Sequence, residues 1–328
     1  YLWSPGGYVV QDPSGLAQGN YTVTITDING CTKTTTATVP GDFAAPTAVA
    51  NAPNTITCQN QTVLINGNGS STGGGISYNW TTTNGVIVSG GQTLSPTVGA
   101  AGTYTIVVTN AANGCTAAAQ TTVSADNAPP TANAGPVQTL TCTALSATLD
   151  GSASSQGASF TYLWSATNGG NITGGNTSLN PIVNATGTYI LTVTNTSNGC
   201  TSTSSVNVNN NTTPPNAVIG APPLLTCTST SVPLNGSGST PAGNLSYSWT
   251  TTDGNIASGQ TSSTANVTEP GQYTLIVTNN ANGCTDDAVV TVSQDNSVPT
   301  ANASVSGGLD CNTTQLTISG AGSSTGAN

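Results

Sequence analysis

The sequence predicts an all-β chain of tandem β-sandwich domains with almost no helix, on three observations. Its vocabulary is that of strands and turns, apolar and polar residues alternate at a spacing of two, and marker residues return every 84 or 85 positions. Thr, Ser, Asn, Gly and Ala fill most of the chain, with Val, Ile and Leu at intervals, while the strong helix formers are rare. Composition this simple also suits disorder, but regular alternation and recurring Trp and Cys argue for packed domains.

The repeat sets the architecture. Eight cysteines, Cys31, Cys58, Cys115, Cys142, Cys200, Cys227, Cys284 and Cys311, fall at alternating gaps of 27 and 57 or 58 residues. Pro46, Pro130, Pro215 and Pro299 keep the same period, as do Trp80, Trp164 and Trp249, and Tyr104, Tyr189 and Tyr273. Three complete units follow at 45–128, 129–213 and 214–297, with partial units at 1–44 and 298–328. Because both partial units begin or stop among strand signals, we expect the 328 residues to be a window on a longer array.

Each unit reads as about seven short strands separated by turns. In the first, Val63 and Ile65 share one face of Thr62–Asn66, Tyr78 and Trp80 one face of Ser77–Thr82, and Tyr104, Ile106 and Val108 one face of the next long strand. One buried face per strand is what a two-sheet sandwich needs. Trp80, Trp164 and Trp249 fall mid-strand, where an immunoglobulin-like core buries an indole; Tyr104, Tyr189 and Tyr273, each in Gly-x-Tyr, fall at the tyrosine-corner position. Burying an indole removes about 150–250 Å² from water, or about 4–6 kcal/mol as an upper figure. That favours core residues over sugar-stacking platforms.

The complete units resemble the PKD-like immunoglobulin-fold repeats of very large secreted proteins of Bacteroidota. The carrying residues are Thr57-Cys58, Thr141-Cys142 and Thr226-Cys227; Asn/Asp-Gly-x-x-Ser at Asn66, Asp150 and Asn235; and the Tyr-x-Trp, Gly-x-Tyr-x-x-x-Val-Thr-Asn and Asn-Gly-Cys motifs. Residues 1–39 are similar to the shorter repeat named for the gliding adhesin SprB, through Tyr1-Leu2-Trp3-Ser4 and the run from Gly19 to Cys31. The resemblance implies surface export by type IX secretion and work as an adhesin, stalk or filament. It departs at Trp80, where Trp-Thr-Thr-Thr-Asn-Gly replaces the acidic Trp-Asp-Phe-Gly-Asp-Gly motif of many PKD domains.

Composition removes whole classes of activity. Lys33 is the only basic residue and His is absent, so nucleic acid and anionic membrane surfaces are poor partners. No apolar run is long enough for a spanning helix, and no membrane insertion is expected of this segment. With eleven scattered acids and Asp286-Asp287 the only adjacent acidic pair, a poised catalytic set is missing, and we expect neither enzyme activity nor a cofactor. The cysteine gaps lack the short spacing of zinc ligands. Asp126 and Asp295 put one carboxylate at two of the linkers, enough at most for weak calcium binding.

These readings point to a structural segment of an extracellular, cell-surface array that bears load. The alternatives are a surface- or carbohydrate-binding adhesin, gripping through loops such as Ser70–Gly75 and Asn110–Gly114, or spacers of a secreted hydrolase. Pro129-Pro130 and Pro214-Pro215 predict short, stiff linkers. Edge strands without basic gatekeepers predict self-association into a filament or oligomer.

In an exported array the cysteines are expected as disulfides. One scheme pairs them within units, Cys58–Cys115, Cys142–Cys200 and Cys227–Cys284. Against it, the closing strand puts roughly 30 Å between the turn of Cys58 and the hairpin of Cys115, where a disulfide tolerates Cα separations of about 4.4–6.8 Å. What meets in a head-to-tail array is the outgoing end of one domain and the incoming end of the next. That predicts Cys58 with Cys200 and Cys142 with Cys284, leaving Cys31, Cys115, Cys227 and Cys311 to partners outside the window.

Overall fold

The computed structural model describes residues 1–326, in which every regular element is a strand. The chain is an all-β, tandem immunoglobulin-like array, and it separates into two compact units. The first comprises Tyr1–Thr131, Ser155–Thr161 and Val193–Ser202; the second comprises 132–154, 162–192 and the residues from Thr203 on.

The first unit opens with a three-stranded antiparallel sheet of Leu2–Ser4, Gly19–Thr26 and Thr32–Val39, where Trp3 lies opposite Val23. The first complete repeat then lays two sheets face to face. Thr116–Val123, Gly102–Asn110 and Ile76–Thr82 make one; Val63–Leu64, Thr97–Val98 and Ile87–Ser89 make the other. The alternation in Gly102–Asn110 explains why the sandwich closes: Tyr104, Ile106 and Val108 are fully buried, and the residues between them look outward. With Ile56, Val63, Ile65, Trp80, Val98 and Val123 they form one continuous core.

Within the second unit the third complete repeat is built the same way. Leu245–Thr251, Gly271–Asn279 and Cys284–Val292 face Val232–Asn235, Thr264–Val267 and Ile256–Ser258 around Trp249, Tyr273, Leu275 and Val277. Ala147–Thr148, Ile182–Val183 and Ile172–Gly174 supply the corresponding small sheet of the repeat before it. A short hairpin of Ser304–Val305 and Ile318–Ser319 closes the unit.

The marker residues hold these sandwiches together. Trp80, Trp164 and Trp249 are 3, 2 and 0% exposed, so none offers its face to a ligand. Each indole N–H donates to a backbone carbonyl, that of Thr93, Ser178 or Ser262, at 3.0–3.1 Å. Each corner tyrosine donates its hydroxyl to the carbonyl four residues earlier: Tyr104 to Ala100 at 2.6 Å, Tyr189 to Ala185 and Tyr273 to Glu269 at 2.7 Å. Tyr21, in the opening sheet, does the same with Ala17 at 3.0 Å. Burial pushes the Tyr273 phenol up from its ordinary range.

The Asn/Asp-Gly-x-x-Ser motif also has a physical cause. Its glycine lies against the core: a Cβ on Gly236 would meet Leu275 Cδ2 at 2.6 Å and Trp249 Cζ2 at 3.3 Å. The first residue folds its side-chain oxygen onto the N–H two positions on, as Asp150 does with Ser152 at 2.9 Å. The Ser152 hydroxyl first, and its N–H second, hold the exposed Asp150 carboxyl below the usual carboxylate range by hydrogen bonding. The closing serine is buried and accepts the N–H of the repeat's first segment: Ser70 from Val49, Ser154 from Asn133 and Ser239 from Val218.

Candidate functional site: the stapled junctions

Two disulfides, one in each unit, join successive repeats. Cys58 bonds Cys200 with a Cα separation of 5.0 Å, and Cys142 bonds Cys284 at 5.1 Å. Cys31, Cys115, Cys227 and Cys311 have no disulfide partner among the described residues.

Each junction is assembled from three short segments whose sequences dictate their shapes. The first is the Thr-Cys turn. Thr57 N–H donates to Asn60 O at 2.9 Å while its hydroxyl accepts Asn60 N–H at 3.0 Å, and Thr141 does the same with Ala144. The threonine thus closes the turn that presents the cysteine beside it.

The second segment is the Asn-Gly-Cys hairpin tip. Gly199 and Gly283 sit at φ +72° and +69°, where a Cβ is unfavourable. They also approach the preceding repeat closely, since a Cβ on Gly199 would lie 2.6 Å from Gln59 Cβ and one on Gly283 2.5 Å from Thr143 Cγ2. Glycine is therefore required there twice over, by the backbone and by its neighbour. Both hairpin cysteines are almost wholly buried, while their partners Cys58 and Cys142 lie on the exposed side of the bond.

The third segment is the linker, held by the asparagine of the same tip. Asn198 is 1% exposed and uses both ends of its amide. Its Oδ1 accepts Cys200 N–H at 2.9 Å; its Nδ2 donates to Asp126 Oδ1 at 2.9 Å and to Ala128 O at 3.1 Å. Asn282 repeats the arrangement, accepting from Cys284 N–H and donating to Asn211 Oδ1 at 3.1 Å and Thr213 O at 2.9 Å. A backbone bond completes each clasp, Gln59 N–H to Asn198 O at 3.3 Å and Cys142 N–H to Asn282 O at 3.1 Å. Among the described residues no buried side-chain polar atom is left without a partner. A short parallel pairing, Ile56–Thr57 with Ala125–Asp126, positions the Thr-Cys turn beside the linker; Leu225–Thr226 with Gln294–Asp295 does so in the third repeat.

The residues weighed for calcium are engaged otherwise. Asp126 meets the Asn198 amide, and Asp295 accepts Ser297 N–H at 2.9 Å; the Ser297 hydroxyl first, and this N–H second, hold its carboxyl below the usual range. No group of three or more His, Cys, Asp or Glu is placed to hold a metal among the described residues. The acidic pair has a structural use in part, since Asp286 accepts Ala217 N–H at 2.8 Å and ties down the first segment of its repeat. Of the two loops weighed for binding, Ser70–Gly75 is anchored by the buried Ser70. Asn110–Gly114 is the hairpin tip equivalent to Asn198-Gly199, with Asn113 donating to Ala44 O at 3.1 Å. The asparagine clasp escaped the sequence reading, although Asn113, Asn198 and Asn282 recur with the period of the cysteines they precede.

No protein-family model matches the chain. Among curated proteins it is 33% identical to the mouse dyslexia-associated protein KIAA0319-like protein, over 75% of this chain and 26% of the relative. It is 36% identical to the mouse KIAA0319 homolog, over 72% of this chain and 24% of the relative. The chain thus spans about a quarter of the length of the curated relatives it matches. Among solved structures it is similar to titin domains I67–I69, with 13% identity, 71% of this chain, 92% of that chain and a TM-score of 0.31. It is also similar to the N-terminal eight Ig domains of Down Syndrome Cell Adhesion Molecule, with 14% identity, 85% of this chain, 40% of that chain and a TM-score of 0.32.

Proposed function

We propose that these repeats form a non-enzymatic, load-bearing segment of an extracellular surface array, whether stalk, filament or adhesin. The observation that supports this reading is the joining of successive repeats by Cys58–Cys200 and Cys142–Cys284. Disulfides of this kind persist in oxidising compartments, and a junction both bonded and clasped passes tension through covalent links. Cys31, Cys115, Cys227 and Cys311 then take partners in repeats outside these 328 residues. Export by type IX secretion and a SprB-type opening repeat rest on motif resemblance. Self-association rests on uncharged edge strands such as Thr116–Val123, and monodisperse monomer at high concentration in sedimentation runs would count against it. A glycan-binding role would have to use loops, because the complete repeats keep their indoles in the core.

Non-reducing peptide mapping tests the reading at its base. Linked peptides carrying Cys58 with Cys200 and Cys142 with Cys284 are expected from protein taken from its native source. Recovery of Cys58 linked to Cys115, or of free thiols at these four positions, defeats it.

A further inference from the structure

We infer that the two staples interlock, so that the repeats share tension in parallel and the extension of the chain is limited by covalent connectivity. Each disulfide closes a separation of 142 residues. Cys142 lies inside the first loop and Cys200 inside the second, so the loops overlap. The bonded pair Cys58–Cys200 acts as one node, and Cys142–Cys284 as another. Three stretches of chain connect these nodes: 58–142, 142–200 and 200–284. By the differences of their residue numbers they are 84, 58 and 84 residues long.

Each stretch carries the buried indole and corner tyrosine of one complete repeat, while the strands Gln138–Thr141 and Thr201–Asn211 of the middle repeat lie in the flanking stretches. Trp80 and Tyr104 lie in the first, Trp164 and Tyr189 in the second, Trp249 and Tyr273 in the third. In an unstapled chain these sandwiches stand in series, each bears the whole load, and each one that opens lengthens the chain. Between two shared nodes the three stretches bear the load in parallel. A repeat that opens frees no length while another still holds. When all three have opened, the 58-residue stretch is the first to become taut. The middle repeat is then pulled through Cys200 and Cys142, in the reverse of chain order. The array is thereby a strain limiter as well as a spacer.

The connectivity makes the staples non-additive. Between Cys58 and Cys284 the chain itself runs 226 residues, one staple shortens the route to 84, and both shorten it to 58. Losing either staple therefore frees only 26 residues, the difference of 84 and 58. Losing the second frees a further 142, the difference of 226 and 84.

Single-molecule stretching of the full chain, tethered at both ends, reads these lengths directly. At about 3.6 Å per extended residue, the oxidised chain is expected to stop near about 570 Å and the reduced chain near about 1,200 Å. Cys58→Ser with Cys200→Ser, and separately Cys142→Ser with Cys284→Ser, should each stop near about 670 Å. The oxidised chain should show no step of whole-repeat size. Whole-repeat steps from oxidised protein, or a single-staple variant that extends as far as the reduced chain, overturn the inference. Should a variant fail to fold, the oxidised and reduced wild-type lengths still decide, because the limit is covalent. The inference takes its use, but not its basis, from the proposed function. Free thiols in native-source protein would defeat that function and leave the oxidised lengths unchanged.

Discussion

Asn198→Asp exchanges one atom group at the centre of the first clasp, and its cost follows from what that group faces. The substitution keeps the oxygen that accepts Cys200 N–H but removes the donor to Asp126 Oδ1 and Ala128 O. Two hydrogen bonds are lost, one of them to a carboxylate, for about 2–3 kcal/mol. A new carboxylate then sits in a nearly closed position against the Asp126 carboxylate. Because Asp126 is itself exposed, solvent screening limits that repulsion to about 1 kcal/mol more. Asn282→Asp is the matched control. Its partner Asn211 is an amide that can turn its donor end toward the new carboxylate, so the repulsive part is absent. The sign with pH follows from the like-charge pair. The introduced carboxyl at 198 has a folded pKa raised above its unfolded value, so its stabilising contribution is complete at acid pH and lost as pH rises through the folded pKa. Hydrogen exchange of junction peptides carrying Gln59 and Cys200 measures the local opening. Protection at pH 7 should fall by about several hundredfold in Asn198→Asp and about fivefold less in Asn282→Asp, and the gap should close below the carboxylate range. Equal losses at both junctions, or a gap indifferent to pH, would refute the argument.

Three further outcomes are expected. Trp249→Ala empties the core of the third complete repeat and should destabilise it by about 3–5 kcal/mol in denaturant unfolding followed through that repeat's peptides. Tyr273→Phe removes the hydroxyl that donates to Glu269 O and accepts Asn255 N–H, at a cost of about 1–3 kcal/mol by the same readout. Gly199→Ala places a methyl against Gln59 at a positive φ, so Cys58–Cys200 should form more slowly on oxidation than the untouched Cys142–Cys284, as timed thiol trapping would show.

The fold was legible because its signals are local and repeated. Trp80 and Tyr104 fall on strands whose alternation alone assigns them a buried face, and the 84- or 85-residue period repeats those strands along the chain. Strand ends were less so. Thr62–Asn66 reads as one strand, but only Val63–Leu64 joins the sheet, because Ile65 turns its N–H to Pro96 O and Asn66 pairs with Asn51 in an isolated bridge. The cysteine partners could be reasoned from which ends of neighbouring domains meet. The asparagine clasp could not, because Asn before Gly is the ordinary language of a hairpin turn. Nothing in its spelling says that the amide reaches 70 or more residues back, to Asp126 and Ala128. Asp286 escaped for the same reason, its partner Ala217 being 69 residues away.

The Thr-Cys turn has a bearing on how such an array is made. Thr226 closes its turn through Ser229, N–H to O at 3.1 Å and N–H to Oγ1 at 3.0 Å, just as Thr57 and Thr141 close theirs, although Cys227 has no sulfur partner here. Likewise Asn113 already accepts Cys115 N–H and holds Ala44 O with Cys115 unpaired. The turn and the hairpin tip therefore take the same shape whether or not their cysteine is bonded. If the chain is exported as proposed, one sandwich can close at a time, and oxidation then seals neighbours whose turn and hairpin tip already have the right shape.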